Sequence, residues 1–440
     1  MSFLPLYART FLIDRVREGG RFRRILAELE SHERWSGDAA RKYQEAKLAQ
    51  VFKWCRRVPY YAEQLDAWRV GRGSALEALN RLPLLDKGIV RSRNNEFHAR
   101  GLAGLLALKG HTSGTTGTPM TCWRDVEAIR FENASLWRIF RWAGVELNDR
   151  RAVMRGDMVV PATQNEPPFW TRASSKVMLL SLYHLSPRYL PGYLEALRQF
   201  APATIESVPS GLATLASWMV EHGETLQLKA AITSSESLLD EQRNRMERAF
   251  SCPVIDYYGN SERTVLLARC ERGAYHVLWD YAVTEFLPDE RGDLEVVGTA
   301  LMNRVMPLLR YRSGDRIEAG ITGERCPCGR TFPVCGRPEG RLDAYILTPD
   351  GRYIGRVERT LTGLHHIREA QFIQTAIDRL VIRVVGAPEF NDEDTRTLVE
   401  RARNWISPEL QVSVELVESI PRGPRGKFAI IVSNLPPSQV

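Results

Sequence analysis

Lys109-Gly110-His111-Thr112-Ser113-Gly114-Thr115-Thr116-Gly117-Thr118-Pro119-Met120 is the stretch from which the rest of the chain can be read. The apolar run Leu105 to Leu108 before it predicts a buried strand. Thr121-Cys122-Trp123 after it predicts a second strand, with a helix opening at Asp125. Glycines let a backbone come close to a ligand. Backbone N–H groups and Ser/Thr hydroxyls can then wrap phosphate oxygens. A flexible surface loop has the same composition, but the order of residues favours phosphate. This is not a Walker loop, because only Thr115 and Thr116 separate Gly114 from Gly117 and no lysine follows.

A chain of 440 residues has room for a large and a small domain. Apolar residues make up 44% and charged residues 26%, ordinary globular values. No apolar run reaches membrane-spanning length. Arg9 breaks the apolar start, which is not a secretory pattern, so a cytoplasmic protein is expected. The net charge of +7 comes from dispersed lysines and arginines, which reads as a solvated surface suited to anionic ligands rather than nucleic acid. Seven cysteines in a reducing compartment predict no disulfide framework. A monomer or a homodimer fits equally.

Residues 1 to about 104 read as helical. Tyr43, Ala46, Leu48, Val51 and Trp54 form a stripe between Arg41 and Arg57, and Asp86 is a candidate helix cap. Leu136, Ile139, Phe140 and Ala143 mark a helix that stops at Gly144. From 150 to 310, apolar strands lead into polar turns and then helices. Examples are Ala203 to Ser207 before Leu212 to Glu221, and Ala230 to Thr233 before Leu239. That alternation predicts parallel α/β layers. Ligands in such sheets bind beyond the carboxyl ends of the strands. Two loops are selected: Ser235-Glu236 and Tyr257-Tyr258-Gly259-Asn260-Ser261-Glu262. A carboxylate such as Glu262 beside a phosphate loop is a usual magnesium ligand, although a surface Glu on a Gly-Asn turn looks the same. Beyond residue 370 a hairpin around Asp378, a helix from Thr395 to Ile406 and an alternating strand at Val412, Val414 and Leu416 predict a small α+β domain.

Cys270-x5-His276 and Cys326-x-Cys328 supply three thiols and one imidazole. Such a set makes a closed tetrahedral zinc site, and buried free thiols are the alternative. Cys335 is a spare that could replace one ligand.

The loop at 113–119 resembles the Ser-Gly-Thr-Thr-Gly-x-Pro phosphate loop of the acyl-adenylate-forming superfamily. That superfamily holds acyl-CoA synthetases, luciferases and peptide-synthetase adenylation domains. Four further segments resemble its motifs in the same order. Tyr258-Gly259-Asn260-Ser261-Glu262 is similar to Tyr-Gly-x-Thr-Glu, which implies Tyr258 near adenine, Ser261 at the α-phosphate and Glu262 on magnesium. Tyr311-Arg312-Ser313-Gly314-Asp315 is similar to Tyr-Arg-Thr-Gly-Asp, implying Asp315 on the ribose. Gly340-Arg341-Leu342-Asp343 is similar to Gly-Arg-x-Asp, implying nucleotide contact by Arg341 and a hinge at Asp343. Gly426-Lys427 resembles the segment whose lysine reaches the α-phosphate. Ser235-Glu236 matches the segment along the adenine and acyl pocket. The resemblance narrows to phenylacetate-CoA ligase-like enzymes and their capsule-biosynthesis relatives, where Pro83 to Lys87 and the Cys/His elements also recur, and it favours zinc.

The resemblance implies an adenylation domain over 1–341 with parallel layered sheets, and a small mobile α+β lid over 342–440. It implies ATP- and Mg2+-dependent activation of a carboxylic acid through an acyl-adenylate, with transfer to an amine or other nucleophile. An aryl- or acyl-CoA ligase using CoA is the alternative, and a non-catalytic nucleotide-binding relative is another. Two positions depart from the pattern. Met120 stands where many members carry lysine, and Thr348-Pro349-Asp350-Gly351 replaces the loop typical of CoA ligases of the branch.

Overall fold

The computed structural model of the chain describes residues 16–435 except 63, 66–72, 102–103, 105–106, 112–119, 156–157, 162, 187, 237, 239, 289–293, 339–345, 355–356, 362, 365, 387–388, 419 and 421–430. Two compact units emerge, one of Met1–Thr112, Met120–Leu147 and Ile255–Gly340, the other of Ser113–Pro119, Asn148–Val254 and Arg341–Val440.

The first unit begins with helices. In α1 (Phe22–Ser31), Phe22, Ile25, Leu26 and Leu29 recur on one face and are buried. In α2 (Gly37–Cys55), Ser36 caps the first turn through Ala39 N, and the buried face is Leu48, Val51, Phe52 and Cys55. The expected stripe is thus partly corrected: Ala46 is exposed, because the core lies one residue round from it. Strands β1 (Leu108–His111) and β2 (Thr121–Arg124) form an antiparallel hairpin. The first strand was expected over Leu105 to Leu108. Residues 105 and 106 lie outside the described residues; among the described ones the strand starts at Leu108, which is 45% exposed rather than buried. Helix α3 (Val126–Arg141) opens as expected at Asp125, whose Oδ1 accepts from Ala128 N at 3.0 Å. It packs along α1.

The second unit then carries the predicted alternation. Strands β3 (Arg151–Met154), β4 (Trp170–Arg172), β5 (Val177–Leu180), β6 (Thr204–Ser207) and β7 (Ala230–Ser234) stand in the order β4-β5-β3-β6-β7. All the pairings are parallel except that of β4 with β5. Helices α4 (Leu190–Phe200), α5 (Pro209–Glu221) and α6 (Asp240–Phe250) connect and follow them. Every residue of β6 and β7 is buried, as in a sheet covered on both faces.

The chain returns to the first unit with β8 (Val254–Gly259), β9 (Leu266–Arg269), β10 (Tyr275–Val277), β11 (Ala282–Pro288), β12 (Leu294–Ala300), β13 (Tyr311–Arg316) and β14 (Val334–Cys335). The parallel pattern does not extend here. The pairs β8-β9, β9-β10 and β10-β14 are antiparallel, and β11-β12-β13 forms an antiparallel sheet. Short loops such as 270–274 leave no room for crossover helices.

The remaining part of the second unit is α+β. A hairpin joins β15 (Ile346–Leu347) to β16 (Tyr353–Ile354). Strands β17 (Ile367–Ala376) and β18 (Arg379–Gly386) form the expected hairpin. Helix α7 (Asp392–Trp405) starts from a capping box at Asn391 and Asp394. Strands β19 (Gln411–Leu416) and β20 (Ile431–Ser433) add in parallel to β18 and β17. Tyr183 of the loop after β5 packs in the apolar core of this part.

The first unit holds one fully buried ionic cluster. Arg138 of α3 clamps Asp280 with Nη1–Oδ2 at 2.5 Å and Nη2–Oδ1 at 3.0 Å, and His32 Nδ1 lies 2.9 Å from Oδ2. Burial alone would raise the Asp280 pKa, but Arg138 and His32 outweigh it and hold the carboxyl below its ordinary value. The carboxylate therefore contributes stability that is present above the ordinary aspartate pKa of about 3.9 and lost as pH falls below it. Asp280→Asn leaves Arg138 buried beside a neutral group and is expected to cost about 3 kcal/mol or more at neutral pH. Urea unfolding at neutral pH and at pH about 3 should show this cost shrinking in acid. An unchanged neutral-pH midpoint would contradict the cluster's role.

Candidate active site

Strand β8 runs out of the core: its first four residues are buried, Tyr258 is half-buried and Gly259 is exposed. The turn beyond is built by Asn260. Its Oδ1 accepts from Thr264 N at 2.9 Å, its Nδ2 donates to Thr264 Oγ1 at 2.8 Å, and its carbonyl accepts from Arg263 N at 3.0 Å. Such side-chain-to-backbone bonds let Asn close a turn without a ladder partner. Gly298 of β12 lets the turn sit this close, since a Cβ there would lie 2.1 Å from Thr264 O.

This turn presents Ser261 and Glu262. Glu262 is 8% exposed, and its Oε1 accepts from Tyr311 Oη at 2.7 Å and lies 3.8 Å from Lys87 Nζ. Lys87 comes from the Pro83 to Lys87 segment, which is pinned to β13. Leu85 N donates to Arg310 O at 2.9 Å and Arg312 N to Leu85 O at 3.0 Å. Tyr258 Oη donates to Asp315 Oδ2 at 2.8 Å. Burial and the Asp315 charge push the Tyr258 phenol well above its ordinary pKa, so it stays a donor. Tyr257, the alternate residue of β8, packs against Phe140 instead. Five of the residues selected from sequence, Tyr258, Gly259, Ser261, Glu262 and Asp315, are thus gathered at the exit of β8. Lys87 and Tyr311 were not singled out as partners of Glu262. Their only signal was membership of the Pro83 to Lys87 and Tyr311 to Asp315 segments.

In the second unit, Ser235 follows β7 with φ of 75°, a left-handed conformation rare for a non-glycine residue, and is exposed beside half-buried Glu236. Thr112, Ser113, Gly114, Thr115, Thr116, Gly117, Arg341, Asp343 and Lys427 lie outside the described residues.

The Cys/His set converges in the first unit. The ligand atoms of Cys270, His276, Cys326 and Cys328 all lie within 4.8 Å of one another. Cys270 Sγ and Cys326 Sγ are 3.6 Å apart, and Cys328 Sγ and His276 Nε2 are 3.5 Å apart. A tetrahedral zinc with ordinary bond lengths has edges of about 3.8 Å and about 3.6 Å, which these two separations approach. Cys326-Pro327-Cys328-Gly329 makes this possible as a turn closed by Gly329 N on Cys326 O at 3.2 Å. His276 Nδ1 is 3.0 Å from Phe332 O, a pairing that places its proton on Nδ1 and leaves the Nε2 lone pair facing the thiols. Arg330 anchors the knuckle to Glu271 at 2.9 Å and Glu33 at 3.3 Å. Cys335 stands apart in an apolar cluster, where burial pushes its thiol up to about 12.

Residues 346–434 match the family model of the CapK C-terminal domain. The Protein CapK of Staphylococcus aureus is 23% identical over 377 residues, 83% of this chain and 82% of that protein. A phenylacetate-coenzyme A ligase of Pseudomonas putida is 24% identical over 429 residues, 93% of this chain and 89% of that protein. Over most of its length the chain is thus similar to CapK and to phenylacetate-coenzyme A ligases. Among solved structures, a 2-hydroxyisobutyryl-CoA ligase in complex with 2-HIB-AMP and CoA matches with a TM-score of 0.60 at 18% identity, covering 92% of each chain. That likeness shows that the two chains share a fold. The CapK C-terminal match spans β15 to β20, the α+β part of the second unit.

Proposed function

We propose that this protein activates a carboxylic acid with ATP and hands the acyl group to a nucleophile other than free CoA. A carboxylate oxygen attacks the α-phosphorus, the bond to the bridging oxygen breaks, and pyrophosphate leaves. The acceptor then attacks the acyl carbonyl of the acyl-AMP and AMP departs. The observation that carries this reading is the gathering of Tyr258, Asp315, Ser261 and Glu262 at the exit of β8. Tyr258 flanks the adenine and steadies Asp315, which accepts from the ribose hydroxyls. Ser261 donates to the α-phosphate, and the Thr112 to Gly117 backbone and hydroxyls hold the phosphate chain. Ser235 and Glu236 line the adenine and acyl side. Arg341 meets the nucleotide, and Lys427, delivered by rotation of 342–440 about Asp343 against 1–341, offsets charge on the α-phosphate. Glu262 is the protein ligand of a magnesium ion, which when bound neutralises phosphate charge.

Cys270, His276, Cys326 and Cys328 hold a zinc that ties the 326–328 turn to the β9–β10 hairpin and leaves no open position for catalysis. Thiols kept reduced and a supply of ATP suit the cytoplasm; among the described residues no helix is long and apolar enough to cross a membrane.

The acceptor reading rests on the hairpin β15–β16. Thr348 Oγ1 accepts from Arg352 N at 2.9 Å, Gly351 N donates to Thr348 O at 2.9 Å, and Arg352 Nε donates to Asp350 Oδ2 at 2.7 Å. Arg352 also donates to Tyr183 O. This compact turn departs from the loop that the resemblance gives to CoA ligases, and an amine on a sugar, amino acid or carrier is the acceptor we read from that departure. Transfer to CoA is the second reading, favoured by the phenylacetate-coenzyme A ligase relative.

Three outcomes check these assignments. Lys427→Ala is expected to cut ATP–pyrophosphate exchange by about a hundredfold or more with an unchanged unfolding midpoint; near-normal exchange would remove Lys427 from the reaction. With the best acid, acyl-AMP should accumulate and acyl-CoA form slowly. Rapid, saturable acyl-CoA formation at low CoA would establish the second reading. Elemental analysis should find one zinc per chain, and its chelation should lower the thermal midpoint. Absence of zinc from protein made with ample metal would sink that claim.

A further inference from the structure

Of the seven cysteines, Cys55, Cys122, Cys252, Cys270 and Cys335 are buried, whereas Cys326 and Cys328 are half-buried. Their exposure follows from the turn that carries them. Pro327 and Gly329 are exposed, and so is the stretch Ile321 to Arg325 leading in. Solvent therefore reaches this turn but not the Cys270 thiol that it faces. The Cys270 backbone is fixed in the β9–β10 hairpin: its N–H donates to Ala274 O and its carbonyl accepts from Gly273 N, both at 2.9 Å. Cys326 Sγ stands 3.6 Å from Cys270 Sγ, and Cys328 Sγ stands 3.5 Å from His276 Nε2. The two accessible thiols thus differ: Cys326 looks onto a second sulfur, Cys328 onto a ring. Disulfide sulfurs lie about 2.0 Å apart, so Cys326 and Cys270 must close by about 1.6 Å from 3.6 Å, within reach of side-chain rotation. A bridge between Cys326 and Cys328 would instead span Pro327 alone, whose ring fixes φ, inside a turn closed by Gly329 N on Cys326 O at 3.2 Å.

We infer that Cys326 and Cys270 are a peroxide-sensitive thiol pair whose oxidation discharges the metal. This inference rests on the zinc reading given above and adds a modification site to it. A zinc ligand is a thiolate, the form of cysteine that acts as a nucleophile. The Cys326 thiolate attacks one oxygen of a hydroperoxide. The S–O bond forms, the O–O bond breaks, and the leaving oxygen takes a proton from solvent. Cys326 is then a sulfenic acid. The Cys270 thiolate attacks that sulfur, the S–S bond forms, the S–O bond breaks, and hydroxide leaves to be protonated to water. The two sulfurs together lose two electrons, which the peroxide gains. Cys328 and His276 remain, and two donors no longer close a four-coordinate site. A dithiol reductant reverses the bridge and returns both thiols to the metal.

The test treats the full chain, as purified with its zinc, with hydrogen peroxide. A metallochromic dye reports released zinc, free thiols are counted, and peptides are mapped by mass spectrometry. Zinc released and thiols lost should stand at about one to two, with a crosslink between Cys270 and Cys326. Cys335→Ser should behave as wild type. Cys270→Ser removes the second thiol, so a dimedone probe should capture a sulfenic acid at Cys326; capture at Cys328 instead would overturn the order of attack. If Cys270→Ser does not fold, the wild-type crosslink map decides. Zinc retained through peroxide treatment, or a Cys326–Cys328 crosslink in place of the expected one, would overturn the inference and leave the zinc reading standing. Should the protein carry no zinc yet form the Cys270–Cys326 crosslink, the zinc reading falls and the thiol pair stands. Should it carry none and form none, both fall.

Discussion

A carboxylate cannot be buried without donors, and the burial of Glu262 constrains much of the first unit. Only 8% of it is exposed, so it must collect partners from other segments. Tyr311 supplies a hydroxyl and Lys87 a cation, from positions far apart in sequence. Tyr311 can do so because β13 begins there, and Lys87 because Leu85 is bridged into that strand. The Asn260 turn and the close approach of Gly298 complete the frame. Each element is ordinary; their convergence on one acidic side chain makes the exit of β8 a cross-braced polar surface.

The parts of this arrangement that were legible in the sequence are those governed by local rules. The parallel strands of the second unit announce themselves as apolar runs followed by turn residues and amphipathic helices. The Asp125 and Asp86 caps are written in single residues, whereas α7 starts at Asp392, ahead of the expected Thr395, because Asn391 caps it. The Cys326-Pro327-Cys328-Gly329 turn places two thiols together without any long-range information. What could not be read depends on non-local pairing. Nothing local says that Leu85 bridges to Tyr311, so the Lys87–Glu262 contact was hidden. Nor does local sequence say that strands after β8 run antiparallel, because their apolar runs resemble those of parallel strands. On α2, Ala46 fits an apolar stripe by composition, yet small side chains carry little burial energy and the face is set by Leu48, Val51 and Phe52.

The two ionic solutions in the first unit differ in kind. At Arg138–Asp280–His32 the charges are fully enclosed and serve the packing of α3 on its neighbours. At Glu262 the pairing is looser: Lys87 stands 3.8 Å away and its side chain is 28% exposed. A carboxylate paired this loosely has a partner that can be exchanged for a cation, whereas Asp280 is clamped on both oxygens. The proposed magnesium role of Glu262 draws on that contrast.

The central claim is that a carboxylate oxygen of the acid becomes bonded to the α-phosphorus of ATP at this site. The most direct measurement uses an acid labelled with oxygen-18 in its carboxyl group, incubated with the protein, MgATP and acceptor, followed by mass spectrometry of the nucleotide product. Attack by the carboxylate at the α-phosphorus leaves one labelled oxygen in AMP when the acyl group departs. The account predicts that label in AMP. AMP formed without label, or label found in inorganic phosphate beside ADP, would contradict it.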